Sequence, residues 1–115
     1  MAVNDILADE TINIPAGSGT SNWVDFTMSR PTPNLVVAHV YNGLDVPVRV
    51  QFENWDNFGN SGQPFILAEV TVDSDRKRAV SLIGFAQGAA DPHIWAIANG
   101  TTGGGSVRIR VRAAA

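Results

Sequence analysis

The chain has 115 residues, of which 44% are hydrophobic and 17% charged, so it has enough apolar material for one packed core. It has no cysteine, which excludes disulfides and thiolate metal sites, and its formal net charge of -3 opposes nucleic-acid binding unless the cations are segregated on one face. The N-terminus, "MAVNDILADE", lacks the basic start and apolar run of a secretory signal, and no window is apolar enough to span a membrane. We therefore expect a soluble, single-domain protein with neither membrane nor nucleic-acid partners.

The first ten residues contain Ile6 and Leu7 on an otherwise polar segment that shows no clear strand partner. We interpret residues 1–10 as an extended N-terminal arm and residues 11–115 as one domain. Ile6 and Leu7 are therefore candidate contacts with another protein.

The rest of the chain predicts about eight short strands separated by turns rich in Gly, Pro, Asn, Asp and Ser. The strand sequences are "TINI", "NWVDFTM", "NLVVAHVYN", "VPVRVQFE", "FILAEVTVD", "KRAVSLIGFA", "HIWAIAN" and "SVRIRVRA". The clearest is "VPVRVQFE", in which apolar and polar residues alternate as on a strand with one buried face. This pattern predicts an all-β fold, either an antiparallel β-sandwich or a jelly roll.

Two local predictions concern the middle of the chain. The run "NLVVAHVYN" is apolar enough for a strand buried on both faces, and Asn42–Gly43 predicts a tight turn that would join it to "VPVRVQFE" as a hairpin. The cluster "SDRKR" at residues 74–78 predicts a second, charged hairpin tip. If its strand lay beside the last one, the two would form a single basic patch.

The last strand carries arginine at every second position, so Arg108, Arg110 and Arg112 share one face. Two interpretations remain open: a stripe that binds anions or nucleic acid, or a solvated face paired with carboxylates on neighbouring strands. The solvated face is favoured because no aromatic residues for base stacking accompany the arginines. The candidate carboxylates are Asp25, Glu53, Glu69 and Asp73.

No residue pattern predicts catalysis or a cofactor. The loop "NWDNFGNSG" has the composition of a calcium site, but an EF-hand register would place Phe58 and Phe65 at ligand positions. His39 and His93 lack neighbours at zinc-ligand spacing, and a nucleophile elbow and a phosphate-binding loop are both absent. We therefore expect a protein that is not an enzyme and that has no metal site or cofactor.

Aromatic residues offer a different role. Trp55 and Phe58 lie in the long polar loop, where exposed rings would suit a sugar or a protein contact. They could equally fold back over the end of the sandwich. A carbohydrate-binding module that uses Trp55 and Phe58 is thus the alternative function.

In layout, the chain resembles the small β-sandwich proteins that decorate bacteriophage capsids or form other virion parts. The resemblance depends on "AVNDILADETINIPAG", "VVAHVYNGLDVPVRVQFE" and "PHIWAIANGTTGGGSVRIRVRA", and it covers most of the chain. It implies a structural protein that cements a major capsid protein or another repeated assembly, with a homotrimer favoured. It also implies that the arm, with Ile6 and Leu7, lies on the shell, and that the protein is found on the virion surface after assembly in the host cytoplasm.

Overall fold

A computed structural model describes residues 5–17, 21–25, 35–54, 65–83, 92–98 and 103–113. Within these ranges the chain forms eight β-strands and no helix, so the predicted all-β class is confirmed. The strands are β1 (Ile6–Ile14), β2 (Ser21–Asp25), β3 (Leu35–Asn42), β4 (Val48–Asn54), β5 (Phe65–Val72), β6 (Lys77–Ile83), β7 (Pro92–Ala98) and β8 (Gly105–Ala113). No helix in the described part of the chain is long and apolar enough to cross a membrane.

The eight strands form two four-stranded antiparallel sheets. The first sheet has the order β1-β8-β3-β6 and the second has the order β2-β7-β4-β5. The described residues form a thin plate with extents of 39 × 37 × 18 Å, the shape expected of two sheets packed face to face. The predicted antiparallel β-sandwich is therefore confirmed.

The core lies between the sheets and follows the alternation in the sequence. On β8, Val107, Ile109 and Val111 are buried while the arginines between them face outward. On β4, Val48, Val50 and Phe52 are fully buried in the same way. Burying each such side chain contributes roughly 1.5–3 kcal/mol before the cost of ordering it, so this inner layer holds a chain that has no disulfide.

The connection between β3 and β4 differs from the prediction. β3 pairs with β6 and β8 in the first sheet, whereas β4 pairs with β5 and β7 in the second, so the predicted hairpin is wrong. Neither Asn42 nor Gly43 has the positive φ of a tight hairpin turn. The chain instead crosses between the sheets here, and the buried side chain of Asn42 at the end of β3 bonds both to the connecting segment and to β5 of the second sheet. Its amide donates to the main-chain oxygens of Val46 (2.8 Å) and Val72 (2.9 Å).

The segment "SDRKR" also connects the two sheets. β5 is an edge strand of the second sheet and β6 is an edge strand of the first, so the predicted hairpin tip is wrong. A turn in which Arg76 N–H donates to the Asp73 oxygen (3.2 Å) reverses the chain, with Asp75 at a φ of 55°. Aspartate tolerates this left-handed conformation better than most residues.

The N-terminal segment also needs a correction. Ile6–Glu10, which the sequence assigns to an arm ending at residue 10, are part of β1 and pair with β8. The Asp5 oxygen extends this pairing by accepting a hydrogen bond from Ala113 N–H (3.0 Å). The register shift between Ile6 and Ala8 breaks the simple alternation, which is why the local pattern did not show a strand. Residues 1–4 lie outside the described residues.

β3 is buried on one face only, against the prediction of two. Val36, Ala38 and Val40 face the core, while His39 is exposed and Tyr41 is half-buried. The outer face of the first sheet is therefore accessible at its centre.

Candidate functional site

A shallow hollow of about 850 Å³ lies on the outer face of the first sheet. Basic and aromatic side chains dominate its lining, which includes His39, Tyr41, Lys77, Arg108, Arg110 and Arg112. We call this surface the basic hollow. It is the surface that the alternating arginines of β8 predicted, widened by two further strands.

Strand register explains why these side chains meet. Residues that are directly opposite across paired strands share a face, so Lys77 of β6, Tyr41 of β3 and Arg108 of β8 form one row across the sheet. Ala79, His39 and Arg110 form the next row. Ala79 is small and lies on the edge strand β6, so the face is low beside His39 at this edge of the sheet.

Lys77 joins the "SDRKR" cluster to the arginines. The sequence predicted a single basic patch if the two strands were neighbours. β6 and β8 are not neighbours, since β3 lies between them, yet Lys77 and Arg108 both line the basic hollow. Because one strand lies between β6 and β8, strand spacing places the positions of Lys77 and Arg108 roughly 10 Å apart.

Asp9 pairs with two of the arginines from the neighbouring strand β1. Its carboxylate accepts hydrogen bonds from Arg108 Nε (3.3 Å) and Nη2 (3.2 Å) and from Arg110 Nε (3.2 Å). The hydrogen bond from Arg108 lowers the pKa of Asp9 below its usual value, against the opposing effect of desolvation, and the charges of Arg108 and Arg110 lower it further. The same bond raises the pKa of Arg108. The pairing is exposed, so its contribution to stability is small and its main effect is to orient the guanidinium groups.

The prediction that the β8 arginines pair with a carboxylate on a neighbouring strand is thus confirmed. The carboxylate is Asp9, and none of the four candidates from the sequence is the observed partner. Asp25, Glu53 and Glu69 belong to the second sheet, and Asp73 follows one of its strands. Asp9 was missed because the sequence assigns it to the arm.

At the opposite rim, the hydroxyl of Tyr41 donates to Asp75 Oδ1 at 2.7 Å. This hydrogen bond raises the pKa of Tyr41 above its usual value, because Asp75 stabilises the protonated phenol. Lys77 Nζ lies 5.9 Å from the centre of the Tyr41 ring, at cation–π distance. Tyr41 is therefore held on both sides, and the rim of the hollow is ordered.

The outer face of the second sheet carries an aromatic stack beside a carboxylate. Trp23 stacks on His93 with ring centres 4.6 Å apart and planes inclined by 3°, and His93 Nε2 lies 3.2 Å from Asp25 Oδ1. Trp23 is 43% exposed, and Trp95 lies directly opposite it on β7. The sequence offered Asp25 as a partner for the arginines and His93 as a residue without zinc-ligand neighbours, and the strand pairing brings these two together with Trp23 on one outer face.

The structure separates the predicted contact residues. Ile6 is 48% exposed, but Leu7 is 4% exposed and belongs to the core, so Leu7 as a surface contact is wrong. Trp55 and Phe58 lie outside the described residues. In the described ranges, no three His, Asp or Glu side chains form a group that could hold a metal ion.

Comparisons with known proteins give a fold and no family. No family model and no curated protein matches the chain. The crystal structure of PirA is similar, with a TM-score of 0.57 and 16% identity over 90% of this chain and 92% of that one. A structure described under Bacillus endospore appendages that form disulfide-linked pili has a TM-score of 0.45 and 9% identity, covering 99% of this chain and 94% of that one. The likeness to PirA shows a shared all-β fold, and neither structure is described as a capsid decoration protein.

Proposed function

We propose that this protein is a non-enzymatic structural protein that docks onto an acidic protein surface through the basic hollow. The observation that carries the proposal is the segregation of charge. Four of the eight Lys and Arg side chains line one hollow on a chain whose formal net charge is -3. Complementary charge of this kind selects a partner and speeds association.

Exposed apolar side chains support a docking role. Within the described residues, every exposed large hydrophobic side chain lies on an edge strand: Ile6 on β1, Trp23 on β2, and Ile66 and Leu67 on β5. Ile66 and Leu67 are consecutive and both about half exposed, because the register shift beside them interrupts the alternation. Edge strands usually carry charges that prevent association, so these apolar edges suit contact with another protein.

The finer form of the proposal is decoration of a bacteriophage capsid. In that role the protein would bind the major capsid protein at the virion surface as a trimer, after assembly in the host cytoplasm. The capsid, the trimer and the virion location are proposed from the resemblance of the sequence layout to bacteriophage decoration proteins. The thin plate described above is compatible with this role, because such a plate can cover a shell without requiring a deep pocket.

Co-sedimentation tests the docking role. Particles are purified from cells that make the protein, and purified full-length chain is added back at increasing salt. The hollow variant, Lys77→Glu with Arg112→Glu, leaves both Asp9-bonded arginines in place. The control variant, Arg76→Glu with Arg78→Glu, has the same change in net charge outside the hollow lining.

We expect wild type and the control variant to sediment with the particles at low salt, and the hollow variant to bind at least about tenfold more weakly. Equal binding of the hollow variant, or no binding of wild type to any particle fraction, would contradict the proposal. Mass spectrometry of the bound particle then shows whether it is a capsid.

A carbohydrate-binding role is the second candidate, and one observation favours it. The exposed Trp23 ring lies beside His93 and Asp25, which combine an aromatic surface with polar groups as sugar sites do. A glycan array with wild type, Trp23→Ala and Trp55→Ala tests it, with Ile66→Ala as an exposed control. Binding lost in either tryptophan variant supports the role, and the absence of any bound glycan removes it.

A further inference from the structure

We propose that the acidic partner of the basic hollow includes a second copy of this chain, so that copies stack head to tail. The hollow of one copy would receive the outer face of the second sheet of the next. This inference deepens the proposed docking role and depends on it.

The basic hollow has a net positive formal charge. Its surface carries four cations, and the nearby carboxylates are Asp75 at the rim and Asp9 on β1, which gives a formal charge of +2. Since the whole chain carries -3, everything outside this surface carries -5. The chain is therefore its own source of an acidic surface.

Acidic residues lie on the opposite side of the plate, on the outer face of the second sheet. Asp25 is opposite His93, and His93 is opposite Glu53, so these three share the outer face of the second sheet. Gln51 and Glu69 share it too, and the Gln51 amide donates to the Glu69 carboxylate at 2.8 Å. Glu53 is only 4% exposed, so the accessible charges of this face are the Asp25 and Glu69 carboxylates and the Arg49 guanidinium, a formal charge of -1.

The two broad faces are large enough and have suitable shapes to pack against each other. Each broad face measures up to 39 × 37 Å, which exceeds the roughly 800 Å² that each partner contributes to a stable interface. The basic face is concave, while the acidic face presents the exposed ring of Trp23. An indole packs favourably against a guanidinium group, so Trp23 and the arginines are complementary beyond net charge.

A contact between these two faces is head to tail. The two faces are different surfaces on opposite sides of one sandwich, so a contact between them leaves one unused face at each end of any chain of copies. Such head-to-tail contacts extend into open filaments unless a rotation closes them into a ring. Stacking through opposite sides of a thin plate favours the open form.

Charge exchange tests the proposal in purified full-length protein. The hollow variant makes both faces acidic, and a face variant, Asp25→Lys with Glu69→Lys, makes both faces basic. The average mass of each is measured by analytical ultracentrifugation over a concentration series at low and high salt. Far-ultraviolet spectra check that each variant is folded, and Lys77→Gln with Arg112→Gln replaces the hollow variant if it is not.

We expect the mass of wild type and of the Arg76→Glu, Arg78→Glu control to rise with concentration at low salt and to fall at high salt. Each charge-reversed variant alone should associate at least about tenfold more weakly, and an equimolar mixture of the two should associate again. A mixture that stays monomeric overturns the stacking. A salt-independent trimer unaffected by either variant also overturns it, yet leaves the docking role standing if the hollow variant still fails to bind particles.

Discussion

Asn42 and Val72 join the two sheets of the sandwich, because the side-chain amide of Asn42 donates a 2.9 Å hydrogen bond to the Val72 oxygen. Asn42 ends β3 of the first sheet and Val72 ends β5 of the second. The Asn42 side-chain oxygen also accepts a bond from Leu44 N–H at 2.9 Å. One buried amide thus holds the place where the chain changes sheets.

Replacing Asn42 by alanine should reduce the free energy of unfolding by about 2–4 kcal/mol, since it leaves buried main-chain groups without their side-chain partner. Asn13→Ala is the matched control, because its side chain is exposed on β1, and it should change stability by less than about 0.5 kcal/mol. Urea unfolding curves measure both. Equal losses in the two variants would show that the amide does not hold the crossing.

The residue after Asn42 has a steric role. A Cβ atom at Gly43 would lie 2.7 Å from the Ser106 oxygen, which accepts the Gly43 N–H at 3.0 Å. Gly43→Ala should therefore destabilise the protein by about 1–3 kcal/mol, because main-chain atoms of β8 would have to move. At Gly103 an added Cβ meets nothing within 4 Å, so Gly103→Ala should be neutral or slightly stabilising. Thermal unfolding measures the stability of both variants.

Ile6 and Leu7 are neighbours with opposite environments, and truncation should separate them. Leu7→Ala should lower the free energy of unfolding by about 2–4 kcal/mol, as for other buried leucines. Ile6→Ala should cost less than about 1 kcal/mol, because the Ile6 side chain is half exposed. Denaturant titration compares the two variants. A larger loss for Ile6 would contradict the assignment of Leu7 to the core.

The pairing of Asp9 with Arg108 predicts a pH-dependent contribution to stability. The pKa of Asp9 is lower in the folded protein than its usual value near 3.8, so the stabilisation is complete above that value and is lost as the pH falls through the folded pKa. The stability difference between wild type and Asp9→Asn should therefore be constant near neutral pH and shrink below about pH 4.

Arg108→Gln provides the control for that measurement, because the hydrogen bond from Arg108 is the main cause of the shift. In the Arg108→Gln background, most of the pH dependence of the Asp9→Asn difference should disappear. If the dependence persisted unchanged, another group would be responsible. Chemical denaturation at a series of pH values gives both differences.

Local features of this protein could be predicted from its sequence alone. Alternation along Val107, Ile109 and Val111 identified which face of β8 is buried, since neighbouring side chains of a strand point to opposite sides. Except at the start of β1, Gly-rich and Pro-rich segments located the ends of the strands to within a few residues, because turn conformations are set by the residues in the turn. The all-β class follows from these features alone.

Which strands are neighbours depends on the three-dimensional fold and could not be predicted from local sequence. Pairing is a contact between distant segments, so nothing local to Asn42 and Gly43 showed that β3 and β4 lie in different sheets. For the same reason Asp9 was not recognised as the partner of Arg108, which is 99 residues away along the chain. The basic hollow exists because β6, β3 and β8 bring Lys77 and the arginines to one surface, and that arrangement depends on the order of the strands and not on the sequence of any one of them.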